Sequence, residues 1–235
     1  MEKNKTGKYL KYAIGEIILV VIGILIALSI NNWNENKKQR VFEVKMLTEI
    51  QNALESDITY FNFLERRLFK LDSASNVFLK LVHEKAPFID SLYKRKNSRW
   101  YYLRSGINLQ FNPGPYEALK SSGIDKISND SLRNSLVDFY DFQLPVNIAF
   151  VKYSDQGYDE DISTLSSFLG KPYTELVNGK IEVYSKLPKD LFLNTEFLNL
   201  LTRIKRRASS SERTLKRISA QMSKLRSQIS AEIEQ

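Results

Sequence analysis

Four acids crowd around Gly157, namely Asp155, Asp159, Glu160 and Asp161. Carboxylates hold calcium through hard oxygen ligands, but their spacing here does not follow the EF-hand loop, and they read as a solvated acidic turn. His83 is the single histidine and cysteine is absent. That combination excludes a multi-histidine or thiolate metal site, a disulfide framework and a cysteine nucleophile. Serines 209 to 211 have lysines nearby, but nothing in their spacing builds a nucleophile–base pair. The expectation is therefore a protein with no catalytic residue, no metal and no cofactor: not an enzyme.

Anion recognition is the other chemistry within reach. The chain carries a net charge of +8 with a pI near 9.4, and residues 189–235 hold ten bases against five acids. Arg203, Arg206, Arg207, Arg213 and Arg217 form the candidate anion or partner surface. These bases flank a heptad seam, so a solvated, partly acid-paired face is the favoured reading. Nucleic-acid or anion binding is the alternative if the domain faces the cytoplasm. Lys94, Arg95, Lys96, Arg99, Trp100, Tyr101, Tyr102 and Arg104 interleave bases with aromatics, as single-strand or sugar-binding surfaces do. Aromatics packed into the cap of a bundle are the simpler expectation.

What must position these residues starts with Ala13 to Ile30, AIGEIILVVIGILIALSI. It approaches the roughly 20 apolar residues that cross a bilayer as a helix. Lys3, Lys5, Lys8 and Lys11 precede it, and the helical pattern continues beyond it through Trp33 and Glu35, which argues for an uncleaved signal anchor. Lys8 and Lys11 abut the run, whereas a neutral Asn-rich stretch separates Ile30 from Lys37. Positive charge stays inside, so the N-terminus is expected in the cytoplasm and the domain in the periplasm, held at the inner membrane. Tyr9, Tyr12 and Trp33 are the expected interface anchors. Gly15, Gly23 and Ala27 are small residues that permit close helix approach, and Glu16 is a carboxylate near the end of the span. These four form the candidate association site within the membrane.

The segment GKYLKYAIGEIILVVIGILIALSINNWNE, residues 7–35, resembles the N-terminal signature of an uncharacterised family of single-pass membrane proteins of flavobacteria and their relatives, a domain of unknown function. A second block, from Phe111 through Tyr116 and Gly123 to Leu132, is similar to its other recurring segment. The resemblance implies a membrane anchor and a helical domain, and no activity.

The expected fold is all-α: an N-terminal transmembrane helix continuing into an elongated antiparallel helical bundle of three long helices and a short-helix insert, with a small β-hairpin near 175–184. The division is a basic tail at 1–11, a signal anchor at 12–32 and a bundle at 33–235. Within the bundle, helices are expected at 38–84, 128–169 and 189–234, a distal insert at 86–127 and a loop with hairpin at 170–188. Leu47, Ile50, Leu54, Phe61, Leu64, Leu68, Leu71, Phe78 and Val82 keep a heptad-like beat, as do Leu201, Ile204, Ala208, Ser211, Leu215, Ile218, Met222, Leu225 and Ile229. Between them, Leu132, Leu136, Phe139, Val146, Phe150 and Tyr153 mark the middle helix, which Pro145 should kink or break. Seven acids at 128–169 against two bases make it a natural antiparallel neighbour of the basic C-terminal helix. The expected path is a rising rod, a descending acidic helix, a hairpin at the membrane end, and a basic helix rising again. The expected role is a scaffold, sensor or accessory subunit acting by helix–helix contact, with the bilayer and a second copy or another membrane protein as partners.

Overall fold

The computed structural model describes residues 5–87, 99–168, 172–185 and 188–234. Helix α1, Lys5–His83, is unbroken over 79 residues, about 120 Å at 1.5 Å per residue. No glycine or proline lies between Gly23 and Pro87, so nothing in that stretch interrupts the i→i−4 ladder. In its apolar first part, Ile14 to Ile30, every large apolar side chain is exposed. By length and composition this helix is able to cross a membrane.

The long partner of α1 is α7, Thr195–Ile233, which Asn194 caps by accepting from the Phe197 N–H at 3.1 Å. The two run antiparallel. Arg40 meets Glu232, Gln51 meets Ser230, Glu65 meets Ser219 and Asp72 meets Lys205. Every residue of the expected C-terminal heptad seam is buried, and so are the expected α1 positions from Leu47 to Phe78, while Val82 is half-buried against the core. The seam is thus filled within one chain. Two polar interruptions of the α1 beat are buried with it: Ser75 donates to the Leu71 carbonyl, and Asp57 takes a neighbour's backbone.

That neighbour is the return leg. Helix α2, Arg99–Leu103, sits beside the far end of α1, where Trp100, Phe78, Phe192 and Phe197 pack with centroids 5.8 to 6.4 Å apart. Trp100 to Leu103 is helical, although its aromatic residues have strand propensity. Burial of Trp100 and Leu103, three residues apart on one helical face, overrides that propensity. The chain then runs back down α1. Tyr60 donates to the Asn108 carbonyl, and the Asn112 N–H is shared by the Asp57 carboxylate oxygens at 3.1 and 3.0 Å. Helix α3, Gly114–Gly123, follows, with Pro115 in its first turn and Gly123 leaving at φ 107°. Finally Glu43, 2% exposed, accepts from Ser128 N–H and hydroxyl and from Arg40.

Residues 99–127 are thus a descending leg along α1 and not a distal cap. The acidic segment therefore starts at the end nearest the apolar run and ascends. It comprises α4 (Asp130–Val137), a π-helical turn (Asp138–Gln143), α5 (Leu144–Ser154) and α6 (Tyr158–Ser167). Asn129 caps α4 and also donates to Glu232 at 2.7 Å. The hairpin β1–β2, Pro172–Val177 and Lys180–Ser185, lies between α6 and α7 in the chain, so it falls at the far end and not the near one. Its Asn178-Gly179 turn has φ of 52° and 76°, as a type I′ turn requires. The antiparallel pairing of acidic and basic helices holds, with both directions reversed from expectation. Helical periodicity specifies which face is buried, and not which way an element runs.

Candidate functional site

The site grows from Pro145. A proline inside an α-helix clashes with the carbonyl four residues back. Here the helix widens instead of breaking: the Leu144 N–H donates to Phe139 O, five residues back. The wide turn inserts one residue into the helical phase. Before it, Leu132, Leu136, Phe139 and Tyr140 face the core; after it, Leu144, Ile148 and Val151 do. Val146, Phe150 and Tyr153, expected inside, are turned out, and Phe142 joins them. The outcome is an exposed apolar stripe at 142, 146, 150 and 153, with Tyr153 70% exposed. The inner side of the same turn is firmly held. Tyr116 and Tyr140 stack at 4.4 Å and 9°, and Asp141 accepts from the Tyr116 hydroxyl and Lys120. Burial raises both phenols, and Asp141 raises Tyr116 further.

Beyond α5 the helix does stop, at Asp155–Gly157, and the stop opens a cleft against α7. The cleft has a volume of about 710 Å³. Asp161 and Arg207 face each other below it, both under a tenth exposed, at 2.5 Å. Arg203 Nε meets the other Asp161 oxygen at 2.9 Å, and Arg207 Nε reaches Asp155 at 3.3 Å. Burial pushes the Asp155 carboxyl up, while Arg207 pulls it down. The Tyr158 ring covers the Arg207 guanidinium at 5.2 Å and donates its hydroxyl to Arg104 O. Gly106 accommodates that ring, because a Cβ there would lie 2.6 Å from it. The acids around Gly157 thus serve α7: Asp155 and Asp161 hold Arg207.

The five candidate arginines divide. Arg203 and Arg207 are paired with acids, and Arg217 donates to Asn147 at 2.5 Å. Arg206 and Arg213 have no acidic partner among the described residues and line the cleft. Gly15, Glu16, Gly23 and Ala27 lie on the exposed part of α1, and a Cβ at Gly15 or Gly23 would meet nothing within 4 Å. Among the described residues, the structure brings these four to no other element. Tyr9 and Trp33 are exposed near the two ends of the apolar run, with Lys37 over the Trp33 ring at 5.5 Å. Tyr12 lies within α1, its side chain outside the described residues, as are Lys94 to Lys96 and the rest of the expected insert at 88–98. Tyr101 is exposed while Trp100 is buried, so that cluster is split between surface and core.

Phe142 is the residue of the exposed stripe that sequence reasoning passed over. Pro145 was its only signal, and a proline announces a disturbance without its form. No curated protein and no solved structure matches the chain significantly. A family model does match, over residues 16–209, taking in most of the apolar run, the stripe, Asp161 and Arg207. The chain belongs to that family, a family of unknown function, DUF6090.

Proposed function

We propose that the protein is a single-pass, membrane-anchored helical scaffold or accessory subunit that works through helix–helix contact and catalyses nothing. One observation carries this reading: the heptad seams are filled within the chain, yet two apolar helical faces stay uncovered. The first is Ile14 to Ile30 of α1 and the second is the Phe142, Val146, Phe150 and Tyr153 stripe. An uncovered face of large apolar side chains marks an interaction surface. In this reading the first face lies in the inner membrane, with the N-terminus cytoplasmic and the bundle periplasmic, as the lysines at 8 and 11 favour. Gly23 and Ala27 support close packing there, and a second copy of the chain docks on the stripe. Another membrane protein on the stripe is the other outcome of the test.

The test uses two differently tagged full-length copies in nanodiscs, with a photocrosslinker at position 146. Copy-to-copy crosslinking is expected, lost on Phe150→Asp and weakened by Gly23→Leu with Ala27→Leu. A crosslink to a different protein in native membranes keeps the scaffold role and replaces the partner. No crosslink in either setting, with the fold intact, overturns the role assigned to the stripe. Reporters active only in the periplasm or only in the cytoplasm, fused after Gln235, test the orientation.

A further inference from the structure

The cleft between the Asp155–Gly157 turn and α7 has properties that helix docking does not require. Two observations converge there. First, its volume of about 710 Å³ lies in the range of small-molecule sites. Second, Arg206, Ser210 and Arg213 follow one another at spacings of four and three on one face of α7 and all line it. Neither arginine has an acidic partner among the described residues, so two guanidinium groups face the opening without compensation. Beneath them Arg207, 7% exposed and held by Asp161 and Asp155, forms the floor of the cleft.

The acids nearby are already engaged. Both Asp161 oxygens are taken by Arg203 and Arg207, Asp155 is held by Arg207, and Lys205 is matched by Asp72. Glu160 stands exposed at the rim. What remains is a donor-rich pocket with an excess of positive charge. Arg206, Arg213 and the Ser210 hydroxyl offer more donors than one carboxylate accepts comfortably, whereas a phosphoryl group presents three strong acceptor oxygens and close to two negative charges. The distance to the apolar run selects the source. Asp72, which anchors this level of α7, is 42 residues beyond Ile30, about 60 Å along the helix. A headgroup of the bilayer holding α1 is out of reach. We infer that the α6–α7 cleft binds the phosphoryl group of a small soluble phosphomonoester through Arg206, Ser210 and Arg213.

The test is calorimetric titration of the full chain in nanodiscs of neutral lipid with glycerol 3-phosphate, in chloride of matched ionic strength. Two variants leave the ion pairs beneath the cleft alone. Arg206→Gln with Arg213→Gln removes two charge-assisted donors and should weaken binding about a hundredfold, at about tenfold each. Gly157→Phe tests space without changing charge. The backbone at Gly157 has φ −86°, and a Cβ there meets open space, so the ring should fold into the cleft and block it. Wild-type binding lost in both variants, and strengthening as pH rises through the second phosphate ionisation near about 6, supports the site. Three results would overturn it: no heat from glycerol 3-phosphate, equal heat from all three proteins, or binding only to vesicles containing phosphatidic acid.

Discussion

The Asp161–Arg207 pair makes the sharpest energetic claim about this molecule. The side chains are 5% and 6% exposed, so both charges have left water and depend on each other. Removing one partner of a buried pair costs about 3–5 kcal/mol, because the other charge stays buried. Asp161→Ala falls at the low end, about 3 kcal/mol, since Arg207 keeps Asp155, itself 26% exposed. The Arg203 side chain, half exposed, returns to solvent at little cost. Arg207→Met should cost about 2–3 kcal/mol, with Arg203 still facing the stranded Asp161. Replacing both, as Asp161→Leu with Arg207→Met, removes both desolvation penalties and should lie within about 1 kcal/mol of wild type. The coupling between the sites then exceeds about 2 kcal/mol. Urea unfolding of the full chain in mild detergent measures it. Trp100 in the buried aromatic box reports unfolding, and Trp33, already exposed, supplies a flat background. Single variants that each cost under about 1 kcal/mol, or an additive double variant, would refute the claim that this pair is dry.

Three further outcomes are expected. Phe197→Ala empties the centre of the far-end box, where Phe78, Trp100, Phe168 and Phe192 all lie within 6.5 Å of its ring; thermal melts should show a loss of about 3–5 kcal/mol, and a loss below about 1 would mean the box is loosely packed. Burial raises the Asp57 carboxyl above its model-peptide value of 3.8, against the pull of the Asn112 N–H. The folded state therefore binds that proton more readily, so its contribution improves as pH falls through the raised value and is lost as pH rises through it. Asp57→Asn should flatten this part of the Tm–pH curve, and an unchanged curve assigns the effect elsewhere. Deleting Gln143 in a Pro145→Ala background takes out the extra residue of the wide turn while Leu144, Ile148 and Val151 keep their inward phase. Tm should fall by only a few degrees, and loss of cooperative melting would show that the π-turn is required by the core.

The amino-acid sequence alone determined the elements of this protein wherever a local physical cause sufficed. The apolar run, the two heptad seams, the Asn129 cap, the stop at Gly123 and the Asn178-Gly179 turn all follow from side-chain chemistry within a few residues. Every α7 residue that the periodicity names is buried, and α7 also buries Phe197, Leu200, Arg207, Thr214, Ser219 and Glu232. Tertiary structure decided the rest. Residues 99–127 descend along α1 because Asp57, Tyr60 and Glu43 capture backbone and hydroxyl groups 48 to 85 positions away, and separations of that length leave no trace in local pattern. That descent reverses the acidic segment and carries the hairpin to the far end. The charge asymmetry of two helices was legible, but the capture of Arg207 by Asp155 and Asp161 was not, because it depends on how α6 and α7 align. The phase after Pro145 was equally hidden. A proline without an N–H permits a break, a kink or a wide turn, and only packing Leu144, Ile148 and Val151 against α7 selects the turn that faces Phe142, Val146, Phe150 and Tyr153 outward.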